Sequence, residues 1–301
     1  MSDPAHRRAL ILMIIAPLLW SIAGVVTRNL SPELQAQGRF EITFWRSLFA
    51  AVFVGGYLVL VRRDFAGALR RAGSAGIISG CMWATMFICF MLALTLTSTA
   101  NTLIVLAVAP LLTTLLAWAL LKSPIPPRTW LAVAIATAGI VWMFAGSLSI
   151  ESSTSVLGML IAFGSPMAAA INVVLLKKRG QSVDMVPAVF IGGLVSAAIM
   201  LPLATPFIGQ PRDVVLLAVL GFFQLGLPCM LLVVAARHLS ATEVALLALL
   251  EVLLGPLWAW IGAGEAPAPT TLAGGALVLG ALVLNELAGT RERVVARVGG
   301  G

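Results

Sequence analysis

Apolar runs of about 20 residues follow one another along this chain, separated by short polar breaks. A helix that crosses a bilayer needs about 20 mostly apolar residues. The pattern predicts helices at about 9–28, 41–61, 73–95, 98–121, 129–147, 156–177, 185–204, 213–236, 241–262 and 270–288. Turn formers mark the breaks. Asn29-Leu30-Ser31-Pro32 follows the first run, Lys122 to Pro127 the fourth and Glu151 to Ser155 the fifth, and Glu265 to Pro269 precedes the last. The third and fourth runs are separated only near Thr95–Ser98, which predicts a tight hairpin. In lipid, backbone polar groups must be satisfied within their own segment, and the alternation of a barrel strand is absent. The predicted fold class is therefore an all-α integral membrane protein.

Composition narrows the function classes. Of 301 residues, 60% are hydrophobic and 10% charged. A soluble domain is about a quarter charged, so this share cannot cover a soluble monomer. An ordinary soluble enzyme, a disordered chain and a nucleic-acid binder are excluded. The first run follows His6-Arg7-Arg8, as in a signal peptide, but it lacks an A-x-A cleavage site and leads into further runs. It is expected to stay as a helix. Cys81, Cys89 and Cys229 all lie in apolar stretches, with no CxxC or Cys/His cluster. They read as small core residues, and neither a metal nor a cofactor is expected.

The basic residues carry topology. With both tails and the even-to-odd connections on one side, that side holds Arg7, Arg8, Arg62, Arg63, Arg70, Arg71, Lys122, Arg128, Lys177, Lys178, Arg179, Arg237, Arg291, Arg293 and Arg297. The other side holds only Arg28, Arg39 and Arg212. The positive-inside rule then predicts both termini in the cytoplasm. The net charge of +7 reads as an orientation signal. Arg46, a turn inside the second run, is expected to pair with an acid such as Glu41 or to snorkel outward.

The two halves resemble each other. A shift of 142 places Ser98 on Ser240, Trp118 on Trp260, Pro127 on Pro269 and Thr129 on Thr271. A shift of 149 places Pro17 on Pro166 and Arg28 on Lys177. Five runs per half is an odd number, so the second copy crosses in the opposite sense. This predicts two inverted five-helix repeats, 1–150 and 151–301, with a central cavity between them and binding near the midplane.

Several short motifs carry a family resemblance over nearly the whole chain. They are Pro17-Leu18-Leu19-Trp20-Ser21, Ala107-Val108-Ala109-Pro110-Leu111, Ser240-Ala241-Thr242, Leu250-Glu251 and Gly264-Glu265, followed by Gly274, Gly275 and Gly280. On these the chain resembles the drug/metabolite transporter superfamily, EamA type, and within it is most similar to bacterial YddG-type (aromatic) amino-acid exporters. Two departures stand out. Val252 occupies the place of the usual Pro after Leu-Glu, and Lys122-Ser123 stands where an acidic residue often ends the fourth span. The resemblance implies ten helices in two repeats, transport by alternating access and a bacterial inner-membrane location.

Polar or strongly shaped residues at helical spacing mark faces turned to a bundle interior. The cavity candidates are Trp20, Ser21, Ser79, Trp83, Met86, Phe87, Phe90, Asn101, Thr102, Phe163, Asn172, Phe223, Gln224 and Glu251. Asn101 and Asn172 could equally serve as glue between helices, and Trp near a span end often anchors at the interface. Pro17, Pro110, Pro166, Pro228 and Pro256 are candidate kinks for gating, since each removes a backbone donor and disturbs the preceding turn. Glu251 could couple transport to protons, or serve as a neutral or hydrogen-bonded structural acid. Alanine and glycine in the fifth and last runs predict close helix approach.

An enzyme fails on inventory. His6 and His238 lie outside the predicted span centres, and HExxH and GxSxG are absent. No catalytic residue is assigned. An interior rich in Trp, Phe, Met and neutral polar groups, read as almost without cations, points to a secondary transporter exporting small neutral metabolites, amino acids above all. The alternative is a multidrug exporter of lipophilic cations on the same fold, with Glu251 and aromatics receiving the cation. The chain has no ATP-binding motif, so a gradient must supply any driving force. The expected partners are a small-molecule substrate and the lipid bilayer, without nucleic acid. The sequence leaves the oligomeric state open, and a monomer is compatible with this reading.

Overall fold

A computed structural model describes residues 4–27, 29–97, 99–122, 124–144, 153–180, 182–263 and 269–298. Among them there are helices and no strand. The first half runs α1 (Pro4–Trp20), α2 (Ala23–Thr27), α3 (Pro32–Gln37), α4 (Arg39–Gly56), α5 (Phe65–Leu96), α6 (Thr99–Leu106), α7 (Ala109–Leu121) and α8 (Pro127–Phe144). The second runs α9 (Ser153–Arg179), α10 (Val186–Ala204), α11 (Pro211–Val219), α12 (Leu227–Ala235), α13 (Ala241–Ala248), α14 (Leu250–Ala263) and α15 (Pro269–Val298). π-helical turns, Tyr57–Val61 and Leu220–Gly226, extend α4 and join α11 to α12.

By length and composition, seven helical stretches among the described residues suit a membrane crossing, and the apolar stretches 127–143 and 272–285 are shorter. Among the described residues helix falls on each predicted run, with positions 28, 98 and 145–147 outside them, but several runs are divided. The first breaks between Trp20 and Ala23, the fourth between Leu106 and Ala109, and the ninth at Leu249. Within α5, Gly73 takes φ 52° and ψ −146°. Glycine adopts this backbone without a Cβ clash. The kink detaches the polar turn 65–72 from the apolar remainder, and it falls where the third run is predicted to begin. The Asp64 carboxylate caps this turn through Gly67 N–H at 3.1 Å. Arg71 hydrogen-bonded to it holds its pKa below the ordinary carboxylate value.

Lipid tails are as apolar as leucine, so close packing and hydrogen bonds must hold helices together. α4 lies along α10, α5 along α9 and α10, and α1 along α12, α13 and α14. α7 packs on α9 and α13. The α4–α10 contact includes a buried Ser47–Ser196 hydroxyl bond of 2.9 Å. α8 and α15 pair mainly with each other. There Gly139 and Gly274 come so close that a Cβ on either would press on the other's carbonyl oxygen. The largest core cluster, including Met13, Trp20, Trp83, Phe87, Met185 and Leu239, surrounds the interior cavity.

Candidate functional site

A cavity of about 190 Å³ lies among α1, α4, α5, α7, α9, α12, α13 and α14. One water needs roughly 10–15 Å³ of such space, so the cavity is of metabolite size. Trp20, Trp83, Met86, Phe87 and Phe90 give it an aromatic and thioether lining, and Asn172, Gln224 and Glu251 add polar groups. The four α5 residues share a face because their spacings of three, one and three follow the helical repeat. Pro166, inside α9, also lines the cavity. The lining includes Leu106 and Ala109 at the α6/α7 break and Ala248, Leu249 and Glu251 at the α13/α14 break.

The principal correction concerns Arg46. It lines the cavity, is 3% exposed, and neither pairs with Glu41 nor snorkels. Five positions separate Glu41 from Arg46, about 140° around an α-helix, so the two point to different sides of α4. Glu41 instead accepts from Ile208 N–H at 2.8 Å, Gly209 N–H at 3.1 Å and Trp45 Nε1 at 3.3 Å. That binds α4 to the segment after α10. The interior therefore holds a cation, contrary to the sequence expectation.

The surroundings of Arg46 are sparsely bonded. Its Nη1 donates to Gln224 Oε1 at 3.5 Å, and among the described residues its buried Nε has no partner. Gln224 Nε2 donates to the Trp20 carbonyl oxygen at 3.3 Å. The π-helical turn 220–226 presents Gln224 here. Gly221 lets that turn rest on α4, since a Cβ would meet Phe49 and the Arg46 carbonyl oxygen. Such π-bulges occur often at functional sites. Glu251 stands in the first turn of α14, partly accessible. Among the described residues it has no hydrogen-bond or ion-pair partner. Arg46 and Glu251 share the cavity lining without an ion pair between them. A second buried donor, Trp83 Nε1, is also without a partner.

Other candidates lie elsewhere. Ser79 sits behind the lining and donates to Asn172 Oδ1 at 2.6 Å, linking α5 to α9. Ser21 donates to the Leu18 carbonyl oxygen and accepts from Trp258 Nε1, both at 2.8 Å. It ties the α1/α2 break to α14 and does not line the cavity. Asn101 donates to Thr97 Oγ1 at 2.8 Å and Ser155 Oγ at 3.3 Å, and Thr102 is buried beside it on α6. Both are away from the cavity.

Phe163 and Phe223 point outward, 40% and 51% exposed. The inner side of α9 is taken by Ala162, Ser165 and Pro166, and that of the π turn by Gln224, which leaves their phenylalanine neighbours on the outer side. Among the prolines, Pro110 opens α7 after a break and Pro228 opens α12 after the π turn. Pro17 lies just before the α1/α2 break. Pro256 lies along α14 at a position whose side chain is outside the described residues. Beyond the named candidates, Ser165 and Arg46 join the lining. A charge inside an apolar run, five positions from its supposed partner, is the signal by which Arg46 could have been found.

The model of the EamA-like transporter family matches residues 7–145 and 156–287. The chain belongs to the EamA-like transporter family. It is a transporter and not an enzyme. The pseudopaline exporter CntI of Pseudomonas aeruginosa, in strains UCBPP-PA14 and PAO1, is 26% identical over 283 residues, covering 92% of this chain and 95% of the relative. A protein of known crystal structure matches with a TM-score of 0.78 at 20% identity, covering 94% of this chain and 98% of its own. That likeness concerns the fold.

Proposed function

We propose that this EamA-family chain is a ten-span secondary transporter that exports small metabolites, amino acids with neutral or aromatic side chains above all, by alternating access. In this reading it lies in a bacterial inner membrane with both termini cytoplasmic, and its halves, 1–150 and 151–301, are inverted five-helix repeats. The observation that carries the reading is the pair of helix breaks on the cavity. Ala109 after the first break and Glu251 after the second are 142 positions apart, the shift that relates the halves. Interrupted helices meeting at a central site are the usual binding architecture of inverted-repeat carriers.

Other observations support the repeats. Ser47 and Ser196, bonded across α4 and α10, are 149 apart, the shift that relates Pro17 to Pro166. Exchanging the halves turns the α5–α9 contact into α1–α12 and the α7–α9 contact into α1–α13/α14, which are all present. The family match divides near the proposed junction. The relative that exports pseudopaline supports a small-metabolite cargo in general terms. The lipophilic-cation alternative has Glu251 and the aromatics in its favour, but Arg46 on the same cavity would repel such a cargo.

The test is counterflow in proteoliposomes preloaded with unlabelled phenylalanine. Transient accumulation of labelled phenylalanine is the expected result. No accumulation for any neutral amino acid, with uptake of lipophilic cations instead, overturns it.

A further inference from the structure

The proposed exporter needs a way to hold its cargo, and the cavity contains two polar ends with open bonding positions. Arg46 is a buried guanidinium whose Nε–H has no acceptor and whose one side-chain bond, to Gln224, is stretched to 3.5 Å. A native buried donor of this kind calls for an explanation. A bound anion supplies one, because guanidinium meets a carboxylate through two parallel N–H groups. The orphaned indole N–H of Trp83, on the same cavity, is a further donor for an acceptor-bearing ligand. Glu251 is the complementary end: a carboxyl at the cavity, without a partner among the described residues and not in contact with Arg46. A guanidinium and a carboxyl that line one space without pairing match a ligand that carries the complementary groups. The aromatic lining receives its apolar part.

We infer that Arg46 binds the carboxylate and Glu251 the ammonium group of a zwitterionic substrate, with Trp83, Phe87 and Phe90 against its apolar side chain. This rests on the amino-acid-exporter reading and names the residues that select within it. Both halves of the recognition are needed. An amine lacking the carboxylate leaves the buried Arg46 Nε–H without an acceptor, and an acid lacking the ammonium leaves the Glu251 carboxyl without its partner. A site left with an unpaired buried polar group rejects the incomplete analogue. Gln224 is the positioning residue: it holds Arg46 weakly and can yield to the carboxylate.

The experiment compares three probes that share one side chain: phenylalanine, phenethylamine without the carboxylate and 3-phenylpropionate without the ammonium. Each competes against labelled phenylalanine in counterflow. Ligand-induced thermal shift of the purified full chain gives a second reading for variants that transport slowly. In the wild type, phenylalanine is expected to compete at least about tenfold better than either analogue. In Arg46→Met its advantage over phenethylamine disappears, and Arg46→Lys restores part of it. In Glu251→Gln the advantage over 3-phenylpropionate disappears while that over phenethylamine persists. Variants that keep the wild-type ranking, or lose both advantages together, overturn the assignment while leaving the exporter reading standing. A wild type that transports phenylalanine but ranks it no better than the two analogues overturns the assignment alone, and one indifferent to every neutral amino acid overturns both.

Discussion

Near the start of α9, Thr97, Asn101 and Ser155 close a set of short hydrogen bonds, with 2.8 Å between the two hydroxyls and 2.8 Å from Asn101 Nδ2 to Thr97. Around Arg46 the geometry is different. The bond to Gln224 is 3.5 Å, that from Gln224 to Trp20 is 3.3 Å, and Nε has nothing. Both clusters are buried and join distant segments. A buried polar group left unpaired costs about 1–3 kcal/mol, so the first cluster stabilises the bundle, while the second carries a cost that a ligand can remove. Burial and polarity alone do not distinguish glue from a binding site. Satisfaction does.

The contrast can be broken most directly at Arg46. Arg46→Met should lower phenylalanine counterflow by about 10- to 100-fold, the range of a lost hydrogen bond to a charged group. Its melting temperature should hold or rise, since an apolar side chain of similar volume removes the cost of about 1–3 kcal/mol of a buried donor left unpaired. A clear fall in melting temperature would place Arg46 with the structural cluster. Asn101→Ala should do the reverse. It should destabilise the protein by about 1–3 kcal/mol, the cost of orphaning its partners, and leave transport per folded carrier within about twofold. Thermal unfolding and counterflow on the same preparation check both halves. The smallest effect is expected at Phe223→Ala, on the outward side of the π turn: a change below about twofold in transport, because surface substitutions away from special features matter little. A large loss there would mean that Phe223 turns inward during transport.

Much of this was legible in the sequence. The positions of the helices follow from apolar runs because a lipid-embedded backbone satisfies itself locally. The aromatic side of the cavity, Trp83, Met86, Phe87 and Phe90, was readable from spacing on one helix. The close approach of α8 and α15 was readable from small residues at Gly139 and Gly274. Arg46 was not readable in the same way. Its natural partner by proximity, Glu41, is engaged by backbone amides at Ile208 and Gly209, far along the chain. Phe163 and Phe223 were misplaced because a bulky residue in an all-apolar helix carries no mark of which side its neighbours will cover.

The chain by itself determined its immersion in lipid, the places of its helices and the uneven distribution of its basic residues, since each depends on local composition. Only the tertiary structure decided which side of each helix faces inward, which buried polar groups find partners and which are left open on the cavity. Those outcomes depend on helix rotation and on contacts between distant segments, as in the hydroxyl bond between Ser47 and Ser196. They turned Arg46 from a topological leftover into part of the cavity lining.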